Sequence, residues 1–272
     1  MTNKWLKVAL MATAIATGTS IYVDAETVLY VPQDDRPVSL QYTVDTAREA
    51  GGMTVLTPPQ NLISGKTYQG QADKIWDWVE QNAGRADVMV LSTDSLIYGG
   101  LVDSRKHNIP LSVLQNRLKR IEGLKARHRN VRIYGFGTVM RSPPRASGGG
   151  TEPAYYAEYG PTIFQIAALQ DKMDAASLTQ EETQKLMSLQ ASVPVEYLQD
   201  WFERRQKNMK VNKGLIDETR SGVFDYFALG HDDTSQLSQS ALEGRYLNSY
   251  SKDIPVEKYG SFPGGPINSA CC

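Results

Sequence analysis

The feature that most constrains this chain is its alternation of short apolar runs with helix-length amphipathic stretches. "TVLYVP" (27–32), "MTVLTPP" (53–59), "ADVMVLST" (86–93) and "VRIYGFGTVM" (131–140) each have the length and β-branched content of a strand. Between them lie "LQYTVDTAREAG" (40–51), "ADKIWDWVEQNAG" (72–84) and "LSVLQNRLKRIEGLKARH" (111–128). In the last of these, Leu111, Leu114, Leu118, Ile121 and Leu124 recur at helical spacing. The first two end on glycine, which accepts the left-handed turn that closes a helix. Uninterrupted apolar strands alternating with helices imply a parallel sheet covered by its crossovers, and right-handed connections between them.

The loop "RSPPRASGGG" breaks this rhythm, and from about 151 to 222 the periodicity is helical throughout. The pieces separate near Ser177–Thr179 and Val193–Pro194, which predicts a helical insertion lying outside the sheet. "VFDYFALG" (223–230) restores a strand, and a helix follows from about Gln236 to Tyr250. The expected class is therefore α/β: a parallel sheet with alternating helices plus a helical insertion. Five strands cannot close an eight-stranded barrel, so the sheet is either an incomplete (β/α)-barrel or an open doubly wound layer.

Both ends read differently from the middle. Lys4 and Lys7 precede an uncharged run from Val8 to Val23, and Val23 and Ala25 stand where a signal peptidase prefers small residues. Residues 1–25 thus read as a secretory signal, with the α/β domain spanning 26–258 and an extracytoplasmic destination. The run is short for a stable membrane span. The two cysteines, Cys271 and Cys272, end the chain and offer no internal disulfide. From Tyr259 on, "YGSFPGGPINSACC" lacks periodicity and reads as an irregular tail. A formal net charge of -1 gives no global field for nucleic acid or an anionic membrane.

In parallel α/β sheets ligands bind beyond the carboxyl ends of the strands. Three polar clusters fall there: "QDDRP" with Asp34, Asp35 and Arg36, "TDSLIYGG" with Asp94, Tyr98, Gly99 and Gly100, and "HDD" with His231, Asp232 and Asp233. "MRSPPR" brings Arg141 to the same rim. Each cluster has a plainer use. One of Asp34 and Asp35 can pair with Arg36 or cap a helix, Asp94 and the 232–233 pair can cap theirs, and the glycines can simply turn the chain. His107 and His128, in a loop and at a helix end, read as solvated.

"YVPQDDRPVS", "VLSTDSLIYGGLVDSR", "RIYGFGTVMRSPP" and "ALGHDDTS", in that order, resemble the recurring blocks of a bacterial family known as domain of unknown function 4127. The resemblance runs from about residue 27 to 258. Family members extend further, so this chain reads as a shortened member. By position the resemblance implies the residues already selected at the strand ends and adds Arg105. It implies no activity.

Clustered acids at strand ends suit glycoside hydrolysis, which needs one carboxyl protonated and another ionised. Tyrosine (14) outnumbers phenylalanine (6), which suits a polar ligand such as a sugar. The leading expectation is an exported hydrolase of carbohydrate with no cofactor. It would draw on Asp94, Asp35, Asp232 and Asp233, with Asp232 or Asp233 as acid and Asp94 or Asp35 as partner. Two alternatives stay open: a hydrolase dependent on Mg, Mn or Ca, zinc being disfavoured by the scarcity of histidine, and a non-catalytic glycan-binding protein.

Overall fold

The computed structural model describes residues 26–146, 150–231 and 235–263. Strand β1 (Thr27–Val31) leads to helix α1 (Gln41–Gly51), then β2 (Thr54–Leu56), α2 (Ala72–Asn82) and β3 (Val88–Ser92). Two short helices, α3 (Thr93–Ile97) and α4 (Asp103–Lys106), precede α5 (Leu111–Arg127) and β4 (Arg132–Val139). Helices α6 (Tyr156–Ala175), α7 (Gln180–Ala191) and α8 (Val195–Arg220) come next. The described chain closes with β5 (Tyr226–His231), α9 (Gln239–Tyr250) and β6 (Tyr259–Pro263).

All strand pairs are parallel, in the order β2-β1-β3-β4-β5-β6. Of the two sheets left open by the sequence, the structure is the open one. The chain steps one way from β1 to β2 and the other way from β3 onward, so the topological switch lies between β1 and β3. In open α/β sheets this is where the strand ends part into a crevice.

The main core joins Leu29, Met89, Leu91, Ile133, Phe227 and Leu229 of the sheet to α2, α5 and α8. Trp76 is fully buried there, and its indole N–H donates to the Leu96 carbonyl at 2.8 Å. On the opposite face α1 covers Tyr30 and Val55 through Val44. A groove of about 310 Å³ opens on that face between α1 and the half-buried Val28, Val90 and Tyr134. Among the described residues no helix is long and apolar enough to cross a membrane.

The 151–222 stretch is helical and contributes no strand to the sheet, as expected, and its last helix also packs on the sheet. With 26 residues, α8 is about 39 Å long. Its first half packs Trp201 with α6 and α7 in a separate cluster, while Val211, Leu215 and Ile216 enter the main core. It therefore serves as the β4-to-β5 crossover. One expectation is corrected: the irregular tail does not begin at 259, since Tyr259–Pro263 is strand β6, with Tyr259 in register with Phe227 and stacked near it. Glycine, serine and proline give this segment little intrinsic strand signal, and pairing to β5 overrides it. Its proline sits at the end of an edge strand, where a missing donor costs nothing. Residues 1–25 and 264–272, and with them the signal and the cysteines, lie outside the described residues.

Candidate functional site

The site at the switch is built by register. Ser92 pairs with Phe136, and β4 runs on past the end of β3, so residue 94 comes to lie beside residue 138. Thr138 Oγ1 donates to Asp94 Oδ2 at 2.8 Å. Across the switch, two residues beyond β1, Gln33 Nε2 donates to the same oxygen, also at 2.8 Å. The chain leaves β3 straight into α3, whose cap is Ser92: its Oγ accepts from the Ser95 amide at 3.3 Å. Capping is thus done without Asp94. Ser95 Oγ in turn donates to the Pro32 carbonyl at 2.6 Å, which fastens α3 to the β1 loop.

Asp94 is only 2% exposed. Burial raises its pKa to about 6, against the pull of Gln33, Thr138 and the Arg105 cation. Losing water disfavours the charged form more than these partners restore it. A carboxyl whose proton affinity is raised toward neutrality at a topological switch point has the property general acid–base work requires. Tyr98, just after α3, is buried with no hydrogen-bond partner for its hydroxyl among the described residues. Burial, and then the charge of Asp94, hold that phenol protonated.

Arg105 reaches the site from α4 and is itself buried. Its Nη1 lies 3.7 Å from Glu152 Oε1, an oxygen that also accepts from Arg141 Nε at 2.6 Å. Arg141, beyond β4, thereby joins the cluster through Glu152.

The β1 loop divides its two acids. Asp34 accepts from Arg36 through Nε at 2.8 Å and through its backbone amide at 3.2 Å, so this pair organises the loop. Asp35 is half-buried, accepts a hydrogen bond from the Tyr68 hydroxyl, and donates its amide to the Ser64 carbonyl at 2.9 Å. Gly99 and Gly100 serve a close crossing of chains. A side chain on Gly99, at φ 110°, would stand 2.8 Å from the Gly70 carbonyl oxygen, and one on Gly100 would collide with Ser64. Asp103, its pKa raised by burial, ties the same crossing together by accepting from the Gly70 amide at 3.1 Å.

His231 ends β5, two strands from β3, where its Nε2 lies 2.8 Å from Ser261 Oγ of β6 and its ring packs on Gly244. Burial lowers its pKa. Asp232 and Asp233 lie outside the described residues. The cap of the following helix is Ser238, whose Oγ accepts from the Ala241 amide at 3.1 Å. Among the described residues no three His, Cys, Asp or Glu side chains are grouped to hold a metal ion.

Sequence reasoning passed over Gln33, Thr138 and Glu152. Gln33 and Thr138 carried a signal, since each is a neutral donor placed where a strand-end acid would need one. Glu152 carried none, because a glycine-rich loop separates it from Arg141. His107 corrects an expectation of solvation. It is buried, stacked on Tyr98 with ring centroids 4.9 Å apart, and bridged to Asn208 of α8 at 2.8 Å. Its Nδ1 accepts from the Ile109 amide at 3.3 Å, and burial lowers its pKa to about 4, so the ring is neutral.

Compared with models of known families, residues 28–265 match the one described as "Protein of unknown function (DUF4127)". No curated protein and no solved structure matches the chain.

Proposed function

We propose that this chain, which belongs to the family described as Protein of unknown function (DUF4127), is an exported hydrolase that cleaves a glycosidic bond of a carbohydrate. The observation that carries the reading is Asp94, a buried carboxyl at the topological switch of an open parallel sheet with its proton affinity raised to about pH 6. In this reading Asp94 is the proton donor to the leaving oxygen, the role expected of Asp232 or Asp233 from the sequence. Both side-chain donors to Asp94, Gln33 and Thr138, converge on Oδ2. Asp35, half-buried on the neighbouring loop, is the second carboxylate.

The test is release of reducing ends from a panel of soluble and cell-wall glycans by the chain that starts at Glu26. Asp94→Asn should lower kcat by about 10²- to 10⁴-fold, the usual worth of a general acid. Wild-type turnover should fall as pH rises through about 6, because the proton to be donated is lost there. Binding of a glycan with no turnover at any pH would replace the hydrolase with a carbohydrate-binding protein. Undiminished turnover by Asp94→Asn would move the chemistry elsewhere.

Export is the second half of the proposal. It rests on Lys4, Lys7 and the uncharged run before Ala25. Amino-terminal sequencing of protein recovered outside the cytoplasm should begin at Glu26. A cytoplasmic product that begins at Met1 or Thr2 would overturn it.

A further inference from the structure

Two uncharged side chains, from the strands on either side of β3, meet on a single oxygen of Asp94. Gln33 reaches Oδ2 from beyond β1 through Nε2, and Thr138 reaches it from β4 through Oγ1, each at 2.8 Å. Gln33 is 1% exposed and Thr138 is 7% exposed. An amide or a hydroxyl drawn out of water costs free energy unless a hydrogen bond compensates it, and here the compensating acceptor is Asp94. Both donors are also held from behind. Thr138 lies within β4, in register with Gly230 of β5. The backbone carbonyl of Gln33 accepts from Ser95 Oγ at 3.2 Å and from the Leu101 amide at 3.4 Å, which pins its chain to the segment that follows Asp94.

We propose that Gln33 and Thr138 are positioning residues: they clamp Asp94 Oδ2 between β1 and β4 and stabilise the charge left on Asp94 when it gives up its proton. A hydrogen bond donated to the ionised form of a carboxyl favours that form, whereas burial disfavours it. The two donors therefore work against burial. With both in place the buried carboxyl can still release its proton to a leaving oxygen. With either removed it holds the proton more tightly and becomes a poorer acid. Because both donors are neutral, they do this without fixing a permanent counter-charge beside Asp94. The charged and titratable surroundings stay the same when either donor is replaced. The Arg105 cation favours the Asp94 charge and the Tyr98 phenol stays protonated, while on the β1 loop Asp34 and Asp35 are engaged by Arg36 and the Tyr68 hydroxyl.

The inference rests on the acid role given to Asp94 above, but its test needs no substrate. The ¹³C shift of the Asp94 carboxyl is followed against pH in the chain starting at Glu26 and in three variants. Gln33→Met keeps the length of the side chain and removes its donor, and Thr138→Val keeps the shape and removes the hydroxyl. Each should raise the titration midpoint by about one pH unit, a tenfold tighter hold on the proton. Thr138→Ser restores a hydroxyl and should bring the midpoint back toward the wild-type value. A merely structural role would lower the Tm of these variants and leave the midpoint where it was. If Gln33→Met does not fold, the two Thr138 variants decide the matter. A midpoint that is unchanged or lowered in either folded donor-free variant, or one in Thr138→Ser no lower than in Thr138→Val, would overturn the proposal. The glycan panel can fail while these shifts appear, and can succeed while they do not, so the two readings fall separately.

Discussion

Arg205→Met is expected to destabilise the chain by about 3–5 kcal/mol, the cost of leaving one partner of a buried ion pair without its counter-charge. Arg205 is 1% exposed, in the middle of α8. Its Nε and Nη2 each donate to one oxygen of Glu243 on α9 at 2.8 Å, a bidentate pairing. Its remaining donors hold the end of β4, with Nη2 at 2.7 Å from the Met140 carbonyl and Nη1 at 3.0 Å from that of Arg141. The guanidinium also lies over the Trp201 ring, 5.1 Å from its centroid. One side chain thus fastens two helices to the strand end from which Arg141 reaches Glu152.

Methionine keeps the length and apolar stem of Arg205 but leaves the Glu243 carboxylate and two carbonyls facing a thioether. For a domain of this size the loss corresponds to a fall in Tm on the order of 10 °C. The double variant Arg205→Met with Glu243→Met should recover most of it, because removing both charges removes the desolvation cost as well. Urea denaturation of wild type and both variants checks this. A single variant within about 1 kcal/mol of wild type would mean that water replaces Glu243's partner, and the pair would not be what holds the strand end.

The alternation of strands and helices was legible because each element reports its own environment. Strands buried on both faces read as unbroken apolar runs, and helices carry one apolar stripe. The strand ends were legible for the same reason, since the order of elements places them all on one edge. What was hidden depends on partners far away in sequence. His107 looks like a loop residue in "SRKHNIP", yet Asn208 buries it from 101 residues downstream. Strand β6 has no pattern of its own and exists through its register with β5. Glu152 follows a glycine run and becomes visible only when Arg105 and Arg141 converge on it. Asp34 and Asp35 look equivalent in sequence; the structure separates them by giving Asp34 to Arg36 and Asp35 to Tyr68.

Asp94→Asn is expected to unmask a loss of stability on acidification that wild type does not show. Asp94 has its pKa raised from 3.8 to about 6, so its folded form binds a proton that the unfolded chain has already released. Its contribution is fully present below pH 3.8 and is lost as pH rises toward 6, by about 3 kcal/mol. His107 has the opposite sign. Its pKa falls from 6.5 to about 4, so the folded ring stays neutral where the unfolded one is protonated. Its contribution is present above pH 6.5 and is lost as pH falls toward 4, again by about 3 kcal/mol. The two windows nearly coincide, and the two slopes oppose each other across Tyr98, which stacks on His107 and feels the charge of Asp94. Wild-type protein should therefore show little dependence from these groups between about pH 4 and 6. Asn at 94 removes one slope and exposes the other, so the variant should lose stability on acidification relative to wild type. Above pH 6 it should match or exceed wild-type stability, since a neutral amide there replaces a desolvated charge. Urea midpoints of both proteins from pH 4 to 8 measure the difference directly. Parallel curves would mean that Asp94 is already ionised in the folded state throughout. A diverging pair, with the more stable variant the one that has lost turnover, would place Asp94 among residues kept for chemistry at the expense of stability.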